Sequence, residues 1–290
     1  MATDTATRRT YRGNCHCGAF VYEVDMPEIK SACDCNCSIC RKKGYLSILV
    51  GADDEYRAIK WSEEDLTEYT FGPKNYVHQF CSRCATPVTG YCPNAPPGRQ
   101  RALIVRAIQG LNTWSLDKVI FDGAALGNRY ESPEYKGSLP PAVEGSKLYT
   151  GSCHCGKLGI AVMSKPLDET YSDRVVDCNC SICERNGCRW IYPPSGAVIL
   201  SGNEADMGRY SFGRHMLCKT FCKTCGVCMT NGPNPQMPEV EDNEENRATK
   251  NWLASYSPVN LRVLDGVDMS RLKPTQVDGA GKMDPQYENP

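Results

Sequence analysis

The chain has 290 residues, with 33 Lys and Arg against 34 Asp and Glu, and the balance holds in each half. It lacks the one-signed charge of nucleic-acid and membrane-surface binders, so the expected partner is a small molecule or another protein. No apolar run approaches the roughly 18 residues of a membrane span, and residues 1–13 lack the apolar core of a secretory signal. We expect a cytoplasmic protein of about two domains, and a homo-oligomer is compatible with this composition.

The predicted elements are short strands, rich in β-branched and aromatic residues and separated by Gly, Pro, Asn and Asp. No window predicts a long amphipathic helix. A stretch rich in Pro, Gly and Ser at 136–147 predicts a linker, and the acidic stretch at 238–246 predicts a surface loop. The predicted strands lie at 19–24, 45–50, 102–108, 196–201 and 260–264.

Several motifs occur twice in the same order, with 138–156 residues between paired copies. This pattern indicates a tandem duplication rather than a short-period repeat. It predicts two similar, mainly β domains of short antiparallel strands, a first domain at 1–145 and a second domain at 146–290. The clearest pairs are DCNCSIC at 34–40 and 177–183, GNCHCG at 13–18 and GSCHCG at 151–156, FCSRC at 80–84 and FCKTC at 221–225, and FDGA at 121–124 and VDGA at 277–280.

The 19 cysteines are far more than an intracellular protein of this length usually carries. In a reducing compartment such a density favours metal binding over disulfides. The odd number and the C-x-C spacing also disfavour a fully paired set, because such close neighbours rarely reach disulfide geometry. The cysteine pattern therefore predicts metal sites.

Each domain has an early C-x-C pair and a late C-x-x-C pair. Two pairs supply four thiolates, the full tetrahedral set of a structural zinc site. The alternative, buried free cysteines, is disfavoured because both correctly spaced pairs recur. The predicted ligands are Cys15, Cys17, Cys81 and Cys84 in the first domain, and Cys153, Cys155, Cys222 and Cys225 in the second.

The DCNCSIC motif supplies three thiolates within seven residues, the number that a catalytic zinc site uses when its fourth position is open. The alternative is a structural site completed by a fourth protein ligand. Spare cysteines do not support that alternative, because none occurs at matching positions in the two copies. The predicted ligands, and catalytic residues, are Cys35, Cys37 and Cys40 in the first domain, and Cys178, Cys180 and Cys183 in the second.

Three thiolates leave Zn²⁺ with a formal charge of −1, which weakens it as a Lewis acid and disfavours the activation of water. A soft, sulfur-held metal favours a fourth sulfur ligand. A thiol that binds there loses its proton. The predicted reaction class is therefore formation or cleavage of a carbon–sulfur bond.

The order G-x-C-x-C-G, C-x-C-S-x-C, Y-x-F-G and F-C-x-x-C, followed by a strand ending near L-D-G, resembles the glutathione-dependent formaldehyde-activating enzyme (Gfa) family. That family also includes centromere-protein-V-like proteins. The resemblance covers both copies and implies two tandem β-tent-like domains, each with a structural and a catalytic Zn²⁺ site formed by the cysteines above. It implies carbon–sulfur lyase activity, the condensation of formaldehyde with the co-substrate glutathione to S-hydroxymethylglutathione.

The sequence departs from the family pattern at different places in the two copies. FCxxC is followed by Ala85 in the first copy and by Gly226 in the second. The basic run 41–43 follows only the first DCNCSIC, and Arg41 is our candidate to bind a substrate carboxylate. The alternative for this run is a solvated loop, because exposed charges are common.

Two further pairs of residues were open to more than one role. Arg106 and Arg262 occupy matching strand positions and either anchor substrate or pair with acids. Trp190 and Tyr192 follow the second DCNCSIC and either line a pocket or pack in the core.

Our favoured hypothesis is a zinc-dependent carbon–sulfur lyase or thiol-adduct-forming enzyme acting on glutathione or another thiol- or carbonyl-bearing metabolite, in specialised metabolism. The alternative is a non-catalytic, zinc-stapled interaction module like the centromere-associated relatives. Balanced charge and the lack of a basic tail disfavour a chromatin role. Thiol redox or metal buffering is a third hypothesis, which predicts metal loss on mild oxidation.

Overall fold

The computed structural model describes residues 7–290, and the protein is mainly β, as the sequence predicts. Two compact units divide the chain. One contains the residues up to Tyr130 together with Arg185–Gly187 and Glu288–Pro290, and the other contains Glu131–Glu184 and Cys188–Tyr287. The predicted domain ranges, 1–145 and 146–290, stay predictions, and "first domain" and "second domain" keep that meaning below.

The first domain contains a three-stranded sheet, in the order β1-β2-β5, and a seven-stranded sheet, in the order β10-β3-β4-β9-β8-β7-β6. All neighbours pair antiparallel except β10 and β3, which run parallel from Asp117 opposite Ser31 to Phe121 opposite Cys35. The strands are β1 (Arg8–Asn14), β2 (Val21–Pro27), β3 (Ser31–Cys35), β4 (Ser47–Leu49), β5 (Glu55–Lys60), β6 (Thr67–Tyr69), β7 (Val77–Phe80), β8 (Pro87–Tyr91), β9 (Arg101–Ile104) and β10 (Asp117–Phe121).

The second domain repeats this arrangement strand for strand, with sheets in the orders β11-β12-β15 and β20-β13-β14-β19-β18-β17-β16. Its one parallel pair, β13 with β20, again joins the strand that ends in a motif cysteine to the strand before the D-G-A segment. The predicted duplication therefore extends to the sheet topology. The strands are β11 (Lys147–Ser152), β12 (Leu158–Ser164), β13 (Val175–Cys178), β14 (Arg189–Ile191), β15 (Val198–Gly202), β16 (Met207–Tyr210), β17 (Leu217–Cys222), β18 (Cys228–Pro233), β19 (Val259–Asn260) and β20 (Thr275–Val277).

The helices are short, with one exception. Helix α3 spans 12 residues, so the expectation of no long amphipathic helix is wrong there, and the predicted loop 238–246 is helical from Glu244 onward. The Asn243 side chain accepts the Asn246 N–H and caps the helix start, with Glu244 and Glu245 in the first turn. None of the described helices is long and apolar enough to cross a bilayer. The helices are α1 (Ser38–Lys43), α2 (Ser181–Asn186), α3 (Glu244–Ser255) and α4 (Gly279–Lys282).

Two of the predicted strands, at 102–108 and 260–264, are strands only in their first residues. In each, the chain continues as a 3₁₀ turn, at Val105–Ala107 and at Leu261–Val263. In the first domain the turn directs the chain toward β1, where the Gln109 N–H donates to the Arg12 carbonyl. The apolar run thus serves two sheets, which explains why its pattern resembles one long strand.

Each domain has its own apolar core. Large side chains with less than 2% exposure, among them Phe20, Tyr22 and Phe80, fill the first domain. In the second domain, the equally buried large side chains include Ile160, Ile191 and Phe221. Ile39 and Ile182 lie in helices α1 and α2 and are equally buried, so packing fixes each helix that follows a DCNCSIC turn.

Candidate metal centres

The four-cysteine group of the first domain is assembled as the sequence predicts. The sulfur atoms of Cys15, Cys17, Cys81 and Cys84 all lie within 4.8 Å of one another. The Sγ–Sγ distance is 3.5 Å between Cys15 and Cys17 and 3.6 Å between Cys17 and Cys81. A tetrahedral zinc with Zn–S bonds of about 2.3 Å separates its sulfurs by about 3.8 Å. The donor set therefore fits zinc with little movement.

The second domain assembles the equivalent group from Cys153, Cys155, Cys222 and Cys225, again within 4.8 Å. The Sγ–Sγ distance is 3.6 Å between Cys153 and Cys155 and 3.5 Å between Cys155 and Cys222. Both groups join the loop after the first strand of a domain to the turn after its β7 or β17 strand. A metal there would cross-link the two sheets of each domain.

Tight turns aim these sulfur atoms inward. The Phe20 N–H donates to Cys15 Sγ, and the Leu158 N–H donates to Cys153 Sγ, both at 3.3 Å. The C-x-x-C turns close with a bond from the Ala85 N–H to the Cys81 carbonyl, and the second domain has the same bond from Gly226. Such N–H donors stabilise thiolates.

The three-cysteine groups lie where a strand passes into a helix. Cys35 ends β3, Cys37 immediately precedes α1, and Cys40 lies within α1. Their sulfur atoms lie within 4.8 Å of one another, and so do those of Cys178, Cys180 and Cys183 in the second domain. The strand–turn–helix path brings together three ligands that the sequence spaces over six residues.

No fourth Cys, His, Asp or Glu of residues 7–290 joins either three-cysteine group. The spare Cys33, Cys188, Cys218 and Cys228 therefore lie outside both groups. All-sulfur donors suit a soft or borderline metal such as zinc, and three of them leave room for an external ligand.

The D-G-A segment packs against each three-cysteine group, a contact that the sequence analysis missed. A Cβ at Gly123 would lie 2.4 Å from Cys35 Sγ, and one at Gly279 would lie 2.7 Å from Cys178 Sγ. Only glycine lets the backbone come this close. The recurrence of FDGA and VDGA was the available signal, but nothing in the sequence pointed these segments toward the cysteines.

An asparagine inside each DCNCSIC motif fastens the D-G-A segment. The Asn36 side chain donates to Asp122 Oδ1 at 2.7 Å and accepts the Ala124 N–H at 2.8 Å. Asn179 makes the same two bonds, to Asp278 and Ala280, both at 2.9 Å. The asparagine of C-N-C thus does more than separate two cysteines, because its side chain binds the D-G-A segment.

Three aromatic rings surround His78 in the first domain. The His78 ring centroid lies 4.8 Å from that of Tyr76, 5.7 Å from that of Phe71 and 5.8 Å from that of Tyr45. Burial and then the thiolate charges of Cys40 and Cys37 raise the pKa of Tyr76. Its phenol therefore keeps its proton at neutral pH beside these cysteines.

The second three-cysteine group has different neighbours. The Trp190 indole N–H donates to Cys183 Sγ at 3.2 Å, and the Lys219 ammonium donates to the same sulfur at 3.5 Å. Lys219 is 4% exposed. Burial alone would lower the pKa of Lys219, but the nearby thiolates, Cys183 first, raise it above its ordinary value. Trp190 thus contacts the group directly, while Tyr192 packs on the adjoining cluster.

Hydrogen bonds among the cysteines shift thiol pKa values in both three-cysteine groups. In the first, hydrogen bonds from the thiols of Cys37 and Cys40 lower the pKa of Cys35. In the second, hydrogen bonds from the thiols of Cys178 and Cys180 lower the pKa of Cys183, and Lys219 adds to this effect.

Residues 10–112 match the sequence model of the family described as glutathione-dependent formaldehyde-activating enzyme. These residues, which we call the Gfa domain, belong to this family. They contain the four-cysteine group and the three-cysteine group of the first domain. The second domain lies outside the match and repeats the sheet order and both cysteine groups.

A crystal structure of a Rhodobacter sphaeroides protein is 23% identical to this chain. The alignment covers 44% of this chain and 97% of that one, with a TM-score of 0.32.

The basic run of the Gfa domain is not the solvated loop of our alternative. Residues 41–43 form the last turn of α1, in which Lys42 and Lys43 are buried and Arg41 is exposed. The Lys43 ammonium lies 4.4 Å from the Phe80 ring centroid. The assignment of Arg41 to a substrate carboxylate stays a prediction.

Arg106 of the Gfa domain has partners other than an acid. Its Nε donates to the Gly44 carbonyl at 2.7 Å, and its Nη1 donates to the Thr113 hydroxyl at 3.3 Å. Gly44 ends α1 with φ of 60°, so Arg106 secures the end of the helix that carries Cys40. These two contacts give Arg106 a structural role at the end of α1.

Proposed function

We propose that this protein is a zinc-dependent enzyme that joins a thiol to a carbonyl compound and splits the product in the reverse direction, a carbon–sulfur lyase. One observation carries the proposal. The sulfur atoms of Cys35, Cys37 and Cys40 lie together, and no fourth protein ligand among residues 7–290 joins them. The family of residues 10–112 supports glutathione and formaldehyde as the first substrates to test.

The two kinds of cysteine group have different tasks in this proposal. The four-cysteine groups hold structural zinc, because four thiolates complete its tetrahedral shell. Cys35, Cys37 and Cys40, or their counterparts in the second domain, would hold the zinc at which chemistry occurs. Zinc bound by three thiolates supplies one further coordination position, at which a substrate thiol loses its proton.

The reaction then requires the substrate sulfur to come close to the carbonyl carbon. The substrate sulfur attacks the carbonyl carbon, the carbon–sulfur bond forms, and the π pair of the carbonyl moves to oxygen. That oxygen takes up one proton, which balances the proton released by the thiol. In the reverse direction the carbon–sulfur bond breaks, and its electron pair stays with sulfur.

The residues around the first group support this chemistry. Asn36 and the D-G-A segment hold the loop between Cys35 and Cys37 in place. Tyr76, a member of the aromatic cluster around His78, is influenced by the thiolate charges of Cys40 and Cys37, and its raised pKa keeps its phenol protonated as a hydrogen-bond donor. Since Cys35, Cys37 and Cys40 are all partly exposed, whereas Cys178 and Cys183 are buried, we assign turnover to the first domain.

The test measures adduct formation by the zinc-loaded full chain. Exchange spectroscopy with ¹³C-formaldehyde and glutathione separates catalysed from spontaneous formation of S-hydroxymethylglutathione. We expect Cys37→Ser to lower the catalysed rate at least about 100-fold, beyond the loss typical of altered supporting contacts. Cys180→Ser should lower it less than about threefold, on the same scale. Cys92→Ser is the matched control, because Cys92 lies outside all four groups.

Each result decides between named alternatives. If Cys37→Ser and Cys180→Ser both keep the wild-type rate, the enzyme proposal fails, and the non-catalytic interaction module becomes the better account. If only Cys180→Ser loses the rate, the enzyme survives but the assignment to the first domain is wrong. Mass spectrometry of intact protein must show bound zinc in each variant, so that unfolding is not mistaken for inactivity.

A further inference from the structure

Lys219 is a buried cation at a sheet position that holds His78 in the first domain. It lies in β17 opposite Tyr210 of β16, and the same register in the first domain places His78 of β7 opposite Tyr69 of β6. An ionised ammonium costs several kcal/mol to bury unless it is paired. A lysine at a sheet position that holds an imidazole in the other copy therefore needs a physical reason.

The contacts of Lys219 offset the cost of burying its charge only in part. Among residues 7–290 the hydrogen-bond partner of Nζ is Cys183 Sγ, and the ammonium also lies 4.1 Å from the Trp190 ring centroid. An ammonium has three N–H donors. One sulfur acceptor and one ring face leave donor capacity unused at a position that is 4% exposed, directly beside a group of three sulfurs.

The charge balance of the two three-cysteine groups differs accordingly. Zinc with three thiolates carries a formal charge of −1, and a fourth thiolate brings it to −2. Lys219 reduces that sum to −1 in the second domain, and the equivalent sheet position in the first domain holds His78 instead. Inside a protein, where the effective dielectric constant is low, one unit of charge at this range strongly affects the affinity for an anion.

We propose that Lys219 makes the second three-cysteine site a binding site for small thiolates, with its free N–H groups donating to the sulfur that takes the fourth position. The proposal rests on the zinc occupancy of the proposed function. Hydrogen bonds and positive charge withdraw electron density from a bound thiolate, which tightens its binding and weakens it as a nucleophile. The second site then retains the thiol, and the first site turns it over.

The test measures thiol binding rather than turnover. The full chain carries Cys37→Ser, which disables the first group, and is loaded with Co²⁺, whose absorption reports a fourth sulfur ligand. Glutathione and 2-mercaptoethanol are the probes. We expect Lys219→Met to weaken the binding of both probes by about tenfold or more, the value of a hydrogen bond to a charged group. Lys219→Arg keeps the charge and should stay within about threefold of the parent.

Two further variants make the comparison specific. Lys165→Met is the control, because Lys165 is an exposed lysine of the same domain that pairs with Asp173 at the surface. It should leave thiol binding unchanged. His78→Lys in a chain that carries Cys180→Ser places the charge in the first domain, and we expect thiol affinity there to rise.

Unchanged thiol affinity in Lys219→Met overturns the proposal. Loss of Co²⁺ from the second group in Lys219→Met, with retention in Lys219→Arg, also overturns it, since Lys219 is then a counter-ion for the metal alone. Absence of Co²⁺ at the second group of the parent rejects both this inference and zinc occupancy there. If the Cys37→Ser chain binds thiols as expected but the zinc-loaded wild-type chain shows no turnover, this inference stands and only the proposed reaction is rejected.

Discussion

The two three-cysteine groups share a backbone and differ in their neighbours. In both, a strand, a tight turn and a short helix present the sulfurs, and a fastened D-G-A segment packs against them. Around the second group, Trp190 and Lys219 reach Cys183. The equivalent sheet positions in the first domain hold Ser47 and His78. Ligand geometry and ligand environment are thus set by separate parts of the fold, which lets one copy drift in chemistry while it keeps its metal frame.

The four-cysteine groups show no such divergence. Both have the same spacing, the same N–H donors to their first cysteine and nearly equal Sγ–Sγ distances. Selection for folding explains this contrast, since a closed four-thiolate site contributes stability whichever substrate the domain handles.

The largest expected effect tests that equivalence. Cys81→Ser and Cys222→Ser each remove one ligand from a four-cysteine group, and each should lose one zinc and destabilise its own domain. Structural zinc contributes on the order of 10 kcal/mol in small domains, so we expect partial unfolding at room temperature. Native mass spectrometry counts the metals, and hydrogen exchange locates the unfolded domain.

The same hydrogen-exchange measurement can also contradict this prediction. If Cys81→Ser and Cys222→Ser keep full protection in both domains, the four-cysteine groups are not needed for folding. Unequal effects would show that one domain has become independent of its zinc, a difference that the matching geometry does not predict.

A smaller effect concerns the D-G-A segments. Gly123→Ala and Gly279→Ala place a Cβ within 2.4 Å and 2.7 Å of a ligand sulfur, so the segment must move. In the first domain this also weakens the hydrogen bond from the Gly123 N–H that helps to lower the pKa of Cys35. We expect the metal affinity of each three-cysteine group to fall by about 10- to 100-fold, the usual cost of losing a supporting contact. Competition with a chromophoric chelator measures it.

The matched control for these variants is Gly196→Ala. Nothing lies within 4 Å of a Cβ at Gly196, and we expect it to leave both metal affinities unchanged. Equal affinity in Gly123→Ala and wild type would contradict the role given to the D-G-A segment.

Much of this site was readable from the sequence because metal ligands obey spacing rules. The two cysteine groups of each domain followed from C-x-C, C-x-x-C and their repetition, and the mainly β class followed from short β-branched runs. Spacing carries such information because one tight turn brings two cysteines onto one metal, whatever the rest of the chain does.

The contacts that separate the two copies were not readable, because they arise between distant strands. Nothing in the segment LCKTFC distinguishes Lys219 from other lysines. Its contacts with Trp190 and Cys183 arise only when β14, β16 and β17 lie in one sheet. Gly123 is one of 25 glycines, and its role depends on a parallel pairing of β10 with β3. Lys42 and Lys43 looked solvated because charge predicts exposure only on average. Helix α3 was missed because its start depends on an Asn cap rather than on apolar periodicity.

The smallest expected effect concerns the turns of the four-cysteine groups, where Ala85 in the first copy stands at the position of Gly226 in the second. Ala85 has φ of 61° and Gly226 has φ of 67°, so both lie in the left-handed region. A side chain is strained there, and glycine is not. We expect Ala85→Gly to stabilise the protein by about 1 kcal/mol and Gly226→Ala to destabilise it by about the same amount. Denaturant unfolding of the zinc-loaded chain, followed separately in each domain by hydrogen exchange, measures both.

The double variant Ala85→Gly with Gly226→Ala exchanges these two residues between the turns and tests whether the two effects match. Because both turns make the same N–H bond to the first cysteine of their C-x-x-C pair, the two changes should be equal and opposite, each confined to its own domain. A destabilising Ala85→Gly would mean that the Ala85 methyl, which is 1% exposed, contributes more by packing than its backbone loses by strain. The first copy would then have adapted to alanine, and its departure from the C-x-x-C-G pattern would be a stabilising feature of the first domain.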